Sequence, residues 1–415
     1  MIVGCARIAC VAGIACLCVD AVAEGLDLSV RAKAFASRAL LPEDDAQRAA
    51  SGTPADDLDL DLRLIGRYAA GRWKVLADHE TTYSVGDGVA FRTAPQATLD
   101  QTQSDDDRRL FDLTWTIDDG DRHRTTHRFD RLAAEYELDG WRATIGRQAV
   151  SWGSGIVFNP MDLFNPFAPT VVDRDYKAGD DLIEVDRLLA NGGDLQLLVV
   201  GRRDEDHDVT RDAASAGGKW RQPFGNGEVE VVAGRHYADG VVGISLHAPL
   251  GGALVRSDWV YTSLDDGGGD LSWLVNVDYT FTLAERNVYT FAEWFTNGFG
   301  VDDEPIDVLQ LPLALIDRLQ RGETFTLMEH YVALGTRIEW HPLVSQTATW
   351  IANADDGSSL VQLQVSWDPG DAQRIEAGLT NTFGDKGEEY GGVEIGGGLA
   401  TGDSTQLYVR WVYHW

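Results

Sequence analysis

Apolar and polar residues alternate along most of this chain, with a period of two rather than 3.6. Leu26, Leu28, Val30, Ala32, Ala34 and Ala36 oppose Asp27, Ser29, Arg31, Lys33 and Ser37, and Phe35 is the one apolar residue on the polar side. Leu58, Leu60, Leu62 and Leu64 alternate with Asp57, Asp59, Asp61 and Arg63. Phe111, Leu113, Trp115 and Ile117 repeat the pattern, as do Val361, Leu363, Val365 and Trp367. Successive side chains of a strand point to opposite faces, so each segment has one apolar and one polar face. The segments run to about 9–13 residues, the length that crosses a bilayer at a tilt. No segment approaches the roughly 18 apolar residues of a spanning helix. A chain that crosses lipid without such helices must close its sheet into a barrel, because lipid offers no partner to an open strand edge.

The punctuation fits that reading. Leu138-Asp139-Gly140, Asn191-Gly192-Gly193, Pro249-Leu250-Gly251-Gly252, His341-Pro342 and Asp368-Pro369-Gly370-Asp371 are short turn signals of the periplasmic kind. Residues 42–56, 86–107, 204–218, 298–329 and 384–404 are long polar segments suited to the outside. Nineteen strands can be counted between them, whereas a single-chain bacterial barrel has an even number. Residues 219–223 and 118–128 fit the pattern least well. The expectation is one all-β antiparallel transmembrane barrel of about 18 strands, with 16 to 20 allowed. Residues 307–321 break the period. Val308, Leu311, Leu315 and Leu319 there predict a short amphipathic helix, interrupted near Pro312. It would pack over a loop or rim, or serve as a gate.

The chain start has a different character. Arg7 precedes an unbroken apolar run over residues 8–19, and Ala21-Val22-Ala23 supplies small residues for a cleavage site. Residues 1–23 read as a secretory signal peptide and residues 24–415 as the barrel. All four cysteines, Cys5, Cys10, Cys16 and Cys18, lie in the signal, so the barrel has neither disulfide nor cysteine metal site. Lipidation at Cys16 is disfavoured by Gly13, where a lipobox wants leucine. A net charge of -31 argues against nucleic acid as a partner.

At the other end, Leu407, Val409, Trp411, Tyr413 and Trp415 form one apolar stripe, opposed by Tyr408, Arg410, Val412 and His414. A last strand ending on an aromatic residue resembles the signal by which outer-membrane barrels are recognised by their insertion machinery. Trp141, Trp340, Trp367, Tyr413 and Trp415 near strand ends suit an interface girdle against outer-membrane lipid.

One motif is not strand-like. Gly146-Arg147-Gln148 is followed by Ser151-Trp152-Gly153-Ser154-Gly155 and by residues 159–166, which hold two Asn-Pro steps. This stretch also carries Trp152, Ile156, Val157, Phe158, Met161, Leu163, Phe164 and Phe167. So apolar a loop is unstable in water. Residues 151–175 are therefore expected to fold into the barrel, either narrowing the pore or bracing the wall. Arg147, Trp152, Asn159, Asp162, Phe164, Asp175 and Lys177 are the candidate constriction residues.

The Gly146-Arg147-Gln148 strand end, Trp152-Gly153, Asn159-Pro160 with Asp162, and Asp175-Tyr176-Lys177-Ala178-Gly179 resemble outer-membrane porins of the alginate-export type and related barrels. The match is specific over residues 141–189. Elsewhere it rests on strand pattern, Arg321-Gly322-Glu323 before Tyr331, and His341-Pro342-Leu343. The resemblance implies a barrel of about 18 strands passing a polymer or small solute, and marks Arg147, Trp152, Asn159, Asp162, Asp175 and Lys177 as motif positions. It leaves the substrate open.

Parity places Arg31, Lys33, Arg63, Arg67, Arg142, Arg256, Arg337, Arg374 and Arg410 on the inner face. Only five of the 35 basic residues are lysine. Guanidinium forks suit carboxylates, so an anionic or saccharide solute is one reading. Asp27, Asp59, Asp61, Glu135, Glu184, Asp186, Glu228, Glu230, Asp258, Asp278, Glu339 and Glu376 share that face. The other reading is a wall of structural ion pairs.

Enzyme signals are weak. Asp57, Asp59 and Asp61 have calcium-loop spacing but alternate along a strand. Gly153-Ser154-Gly155 lacks the glycines of a nucleophile elbow, because Trp152 and Ile156 stand in their places. His123 and His127 lie among Arg122, Arg124 and Arg128, which opposes metal binding. Residues 204–208 read as a solvated acidic loop rather than a cation site. The sequence thus calls for no enzyme, metal or cofactor. The expected function is passive passage of a polar solute. The rivals are an outer-membrane enzyme with catalytic groups at the rim and a non-conducting structural or assembly barrel.

Overall fold

The alternating segments are strands. The computed structural model describes residues 25–92, 106–169, 171–173 and 176–415. Residues 1–23, expected to be the signal peptide, and Asp175 lie outside the described residues. The first strands are β1 (Leu26–Leu40), β2 (Ala55–Ala70), β3 (Trp73–Gly86), β4 (Thr114–Gly120), β5 (His123–Leu138), β6 (Trp141–Gln148) and β7 (Asp180–Leu188). They are followed by β8 (Asp194–Val200), β9 (Ser215–Phe224), β10 (Gly227–His236), β11 (Asp239–Leu250), β12 (Ala253–Ser263), β13 (Gly269–Leu283) and β14 (Arg286–Thr296). The last are β15 (His330–His341), β16 (Val344–Asn353), β17 (Ser359–Gly370), β18 (Gln373–Phe383), β19 (Val393–Gly396), β20 (Leu399–Thr401) and β21 (Thr405–His414). Among the described residues, three short helices, α1 (Ala46–Ser51), α2 (Asp87–Arg92) and α3 (Leu313–Arg321), sit in loops.

The sheet closes. β1 pairs with β2 along one edge and with β21 along the other, from Arg31↔His414 to Leu40↔Thr405. All ladders of the main sheet are antiparallel, and 18 of its 19 strands form the ring. The odd strand is β4. It lies beside the upper half of β5, with Trp115 opposite His127, where the short β6 no longer reaches. Residues 219–223 are true strand, part of β9. Residues 118–128 are the end of β4, a turn and the start of β5.

The turns after β2, β5, β7, β9, β11, β13, β15 and β17 are all short and lie at the end of the barrel that holds Gly25 and Trp415; the long segments lie at the other end, together with the two-residue turns Asp121-Arg122 and Tyr237-Ala238. In outer-membrane barrels the short turns are periplasmic. Parity holds across the closing strand. Leu407, Val409, Trp411 and Trp415 are exposed on the outer wall, while Tyr408, Arg410 and Val412 are buried inside. Phe35, the exception in β1, faces inward and stacks on Tyr408 at 5.8 Å between ring centroids. Trp141, Trp340 and Trp367 are exposed near the tight-turn end, as an interface girdle requires. The helix in residues 307–321 starts later than the pattern implied. Pro312 is its N-cap, because proline lacks an N–H and fits only the first turn of a helix.

Val409→Arg tests the lipid-facing stripe. A cation on that face costs about 2–4 kcal/mol near mid-membrane. Urea unfolding in lipid vesicles should show that loss. A change of similar size with the isosteric Val409→Thr would contradict a lipid-facing position.

Candidate functional site

Residues 149–179 join β6 to β7 at the long-loop end and fold down into the barrel. Their backbone has no strand partner, so its N–H groups need acceptors elsewhere. The inner wall supplies carboxylates. Glu293 on β14 accepts from Ile156, Val157 and Phe158 N–H at 2.7, 3.0 and 2.8 Å. Asp258 on β12 accepts from the N–H and the hydroxyl of Ser154, both at 2.7 Å. Glu230 on β10 accepts from Gly153 N–H at 3.1 Å, and Gln196 on β8 from the Trp152 indole at 2.6 Å. Charge-assisted bonds of this kind are about twice as strong as neutral ones. The apolar side chains follow the same wall. Trp152, Met161 and Phe164 pack on Leu198, Val232 and Val260, and Phe158 stacks on Phe295 at 4.7 Å.

The far arm of the loop is tied elsewhere. Asp173 meets Lys33 of β1 at 2.9 Å and Arg410 of β21 at 3.6 Å. Tyr176 lies beneath two guanidinium groups, Arg63 of β2 at 4.0 Å and Arg31 of β1 at 5.3 Å. Strands β10 and β21 are nine places apart on the ring of 18, which is diametrically opposite. The loop therefore crosses the lumen. Burial pushes the Asp173 carboxyl up to about 6, against the pull of Lys33. Burial likewise raises Asp162 to about 6, despite its contact with Lys177.

Asn159, Asp162, Phe164 and Lys177, four of the candidate constriction residues, make contacts within this crossing. Asp162 pairs with Lys177, whose ammonium also reaches Val150 O and Ser151, so the two ends of the loop are stapled together. Asn159 donates to Trp152 O at 2.9 Å. Phe164 sets its ring edge-on to Trp152 at 5.1 Å. Arg147 is buried in the wall. It bonds Asp181 at 2.9 Å, Asp106 at 2.7 Å and Phe111 O at 2.6 Å, closing the seam where residues 106–113 continue above β6.

The lumen arginines divide by height. Arg31, Arg63 and Arg410 are buried at the crossing. Arg142, Arg256, Arg337 and Arg374 lie near the tight-turn end, where Arg142 pairs with Asp186 at 2.8 Å, Arg374 with Asp368 at 2.7 Å, and Arg256 with Asp278. At the crossing, Arg63 meets Asp130, Lys33 meets Asp61 at 2.6 Å, and Arg410 meets Glu376 at 2.5 Å. The ion-paired wall is thus real, but acids alone do not explain it: Glu230 and Asp258 hold the loop backbone. Glu293, Asp173 and Asp130 escaped the sequence reading, and Tyr176 entered it only as part of a motif. Glu293 had a signal, an acid at an inward position between Phe291 and Phe295.

A second insert, residues 297–329 between β14 and β15, covers the first. The α3 side chains Leu315 and Leu319 are buried against the Phe158 cluster.

These features define a closed outer-membrane β-barrel whose lumen is crossed by its own loop. No family model matches the chain, and no curated protein does. Solved structures do. Pseudomonas aeruginosa OccK5 (OpdH) is 10% identical over 94% of this chain and 98% of its own, with a TM-score of 0.55. OccK2 (OpdF) from the same species, solved in complex with glucuronate, is 10% identical over 94% and 98%, at 0.53. Acinetobacter baumannii OccAB1 is 10% identical over 95% and 98%, at 0.52. The shared feature at such identity is the fold. These neighbours are porin barrels but not of the alginate-export type, so that finer resemblance rests on the motif over residues 141–189 alone.

Proposed function

We propose that this barrel is a passive outer-membrane channel for small, hydroxyl-rich carboxylates such as sugar acids. The loop carries the reading: its far arm ends in a cluster of Arg31, Arg63, Lys33 and Arg410, buried there and paired with Asp61, Asp130, Asp173 and Glu376, so it narrows the path against a strongly charged wall. Register puts Thr347 and Thr349 of β16, Gln362 and Gln364 of β17, and Thr380 of β18 on the adjoining inner wall. Amide and hydroxyl groups replace the water around sugar hydroxyls, while arginine meets the carboxylate as a fork. The glucuronate bound to OccK2 has this chemistry. A uronate polymer, as the alginate-export resemblance would supply, offers the same groups, but a lumen crossed by a loop favours the single sugar acid. Residues 1–23 would be removed on export, and the stripe from Leu407 to Trp415 would be read by the insertion machinery.

The reading is of a channel, not an enzyme. Vesicles holding the purified barrel should admit glucuronate faster than glucose, and Arg63→Gln should reduce that preference. Equal entry of both sugars, before and after the substitution, would contradict the assignment.

A further inference from the structure

The two inserts leave a cavity of about 80 Å³ between them, backed by the upper wall of β10–β14. Phe158 and Phe295, stacked on each other, line it together with Phe299, Phe325, Val241 and Val260. Each charged side chain that borders it is matched. Arg318 bonds Asp239 at 2.7 Å, His236 meets Glu323 at 3.0 Å, and Asp162 pairs with Lys177. Thr262 and Thr324 also line it, the Thr324 hydroxyl 3.2 Å from that of Thr326. The make-up is that of a small-molecule site: mostly apolar, with a few polar groups.

We propose that this cavity binds an uncharged aromatic solute bearing a hydroxyl, of the phenol class. Ring faces and edges supply the attraction, and a threonine hydroxyl orients the polar end. A carboxylate is disfavoured here, because burying an unmatched anion among these rings is costly. The site is therefore distinct from the guanidinium path at the crossing and does not depend on the carboxylate reading.

The test is a phenol titration of the full chain in amphipol, followed by saturation-transfer NMR. Phenol should bind saturably, and excess glucuronate should not displace it. Thr262→Phe, which fills the cavity, should abolish the transfer. Phe325→Ala, on a loop outside the barrel ladder, should weaken binding by about fivefold. Transfer that is non-saturable, or that is the same in the native chain and both variants, would overturn the proposal. So would displacement by glucuronate.

Discussion

Glu293→Ala is expected to free the crossing loop and raise single-channel conductance by about twofold or more. Glu293 is buried and takes four donors, three loop N–H groups and the Asn276 amide at 3.0 Å. Removing the carboxylate leaves those donors without an acceptor, at about 1–3 kcal/mol each. Three orphaned backbone donors weaken loop docking by about 3–9 kcal/mol, enough to make the undocked state common. Glu293→Gln keeps an acceptor of the same length and should restore much of the native conductance. Native conductance in the alanine variant would mean that the loop does not obstruct the path.

Acidification is expected to tighten the same loop. Asp162 and Asp173 sit near 6 when docked, raised by burial. In a released loop both would return to the ordinary value of about 3.9. The docked state thus holds the extra protons. Docking strengthens as pH falls from 7.5 through 6 and is lost again as pH rises through 6. A shift of about two units corresponds to up to about 3 kcal/mol for each carboxyl. Amide exchange of residues 153–164, corrected for its intrinsic rate, should slow between pH 7.5 and pH 5. Asp162→Asn with Asp173→Asn should flatten that dependence. Faster corrected exchange at pH 5 would show that the Lys33 and Lys177 pairs outweigh the cost of burial.

The strands were legible because two solvents act on them: lipid selects Leu58, Leu60 and Leu62 on one face, and water and charge select Asp59, Asp61 and Arg63 on the other. The in-folded loop was legible from Trp152, Phe158 and Phe164, too apolar for water. Partnership was not legible. Parity turns Glu230, Asp258 and Glu293 inward but is silent on whether each meets an arginine or a loop N–H, since both choices satisfy a carboxylate. Arg147 looked like a pore residue because it ends a strand at the loop. Its role in the wall depends on residues 106–113, forty positions earlier. The surplus strand has the same cause: β4 alternates like its neighbours, and only the shortness of β6 leaves it outside the ring.

The most direct test compares single-channel currents of the full barrel with those of a variant in which residues 153–176 are replaced by a short glycine-serine linker. Discrete small steps in the first and markedly larger ones in the second, with weaker discrimination between glucuronate and glucose, are the expected result. Equal steps in the two proteins, or no conductance in either, would contradict a channel narrowed by its own loop.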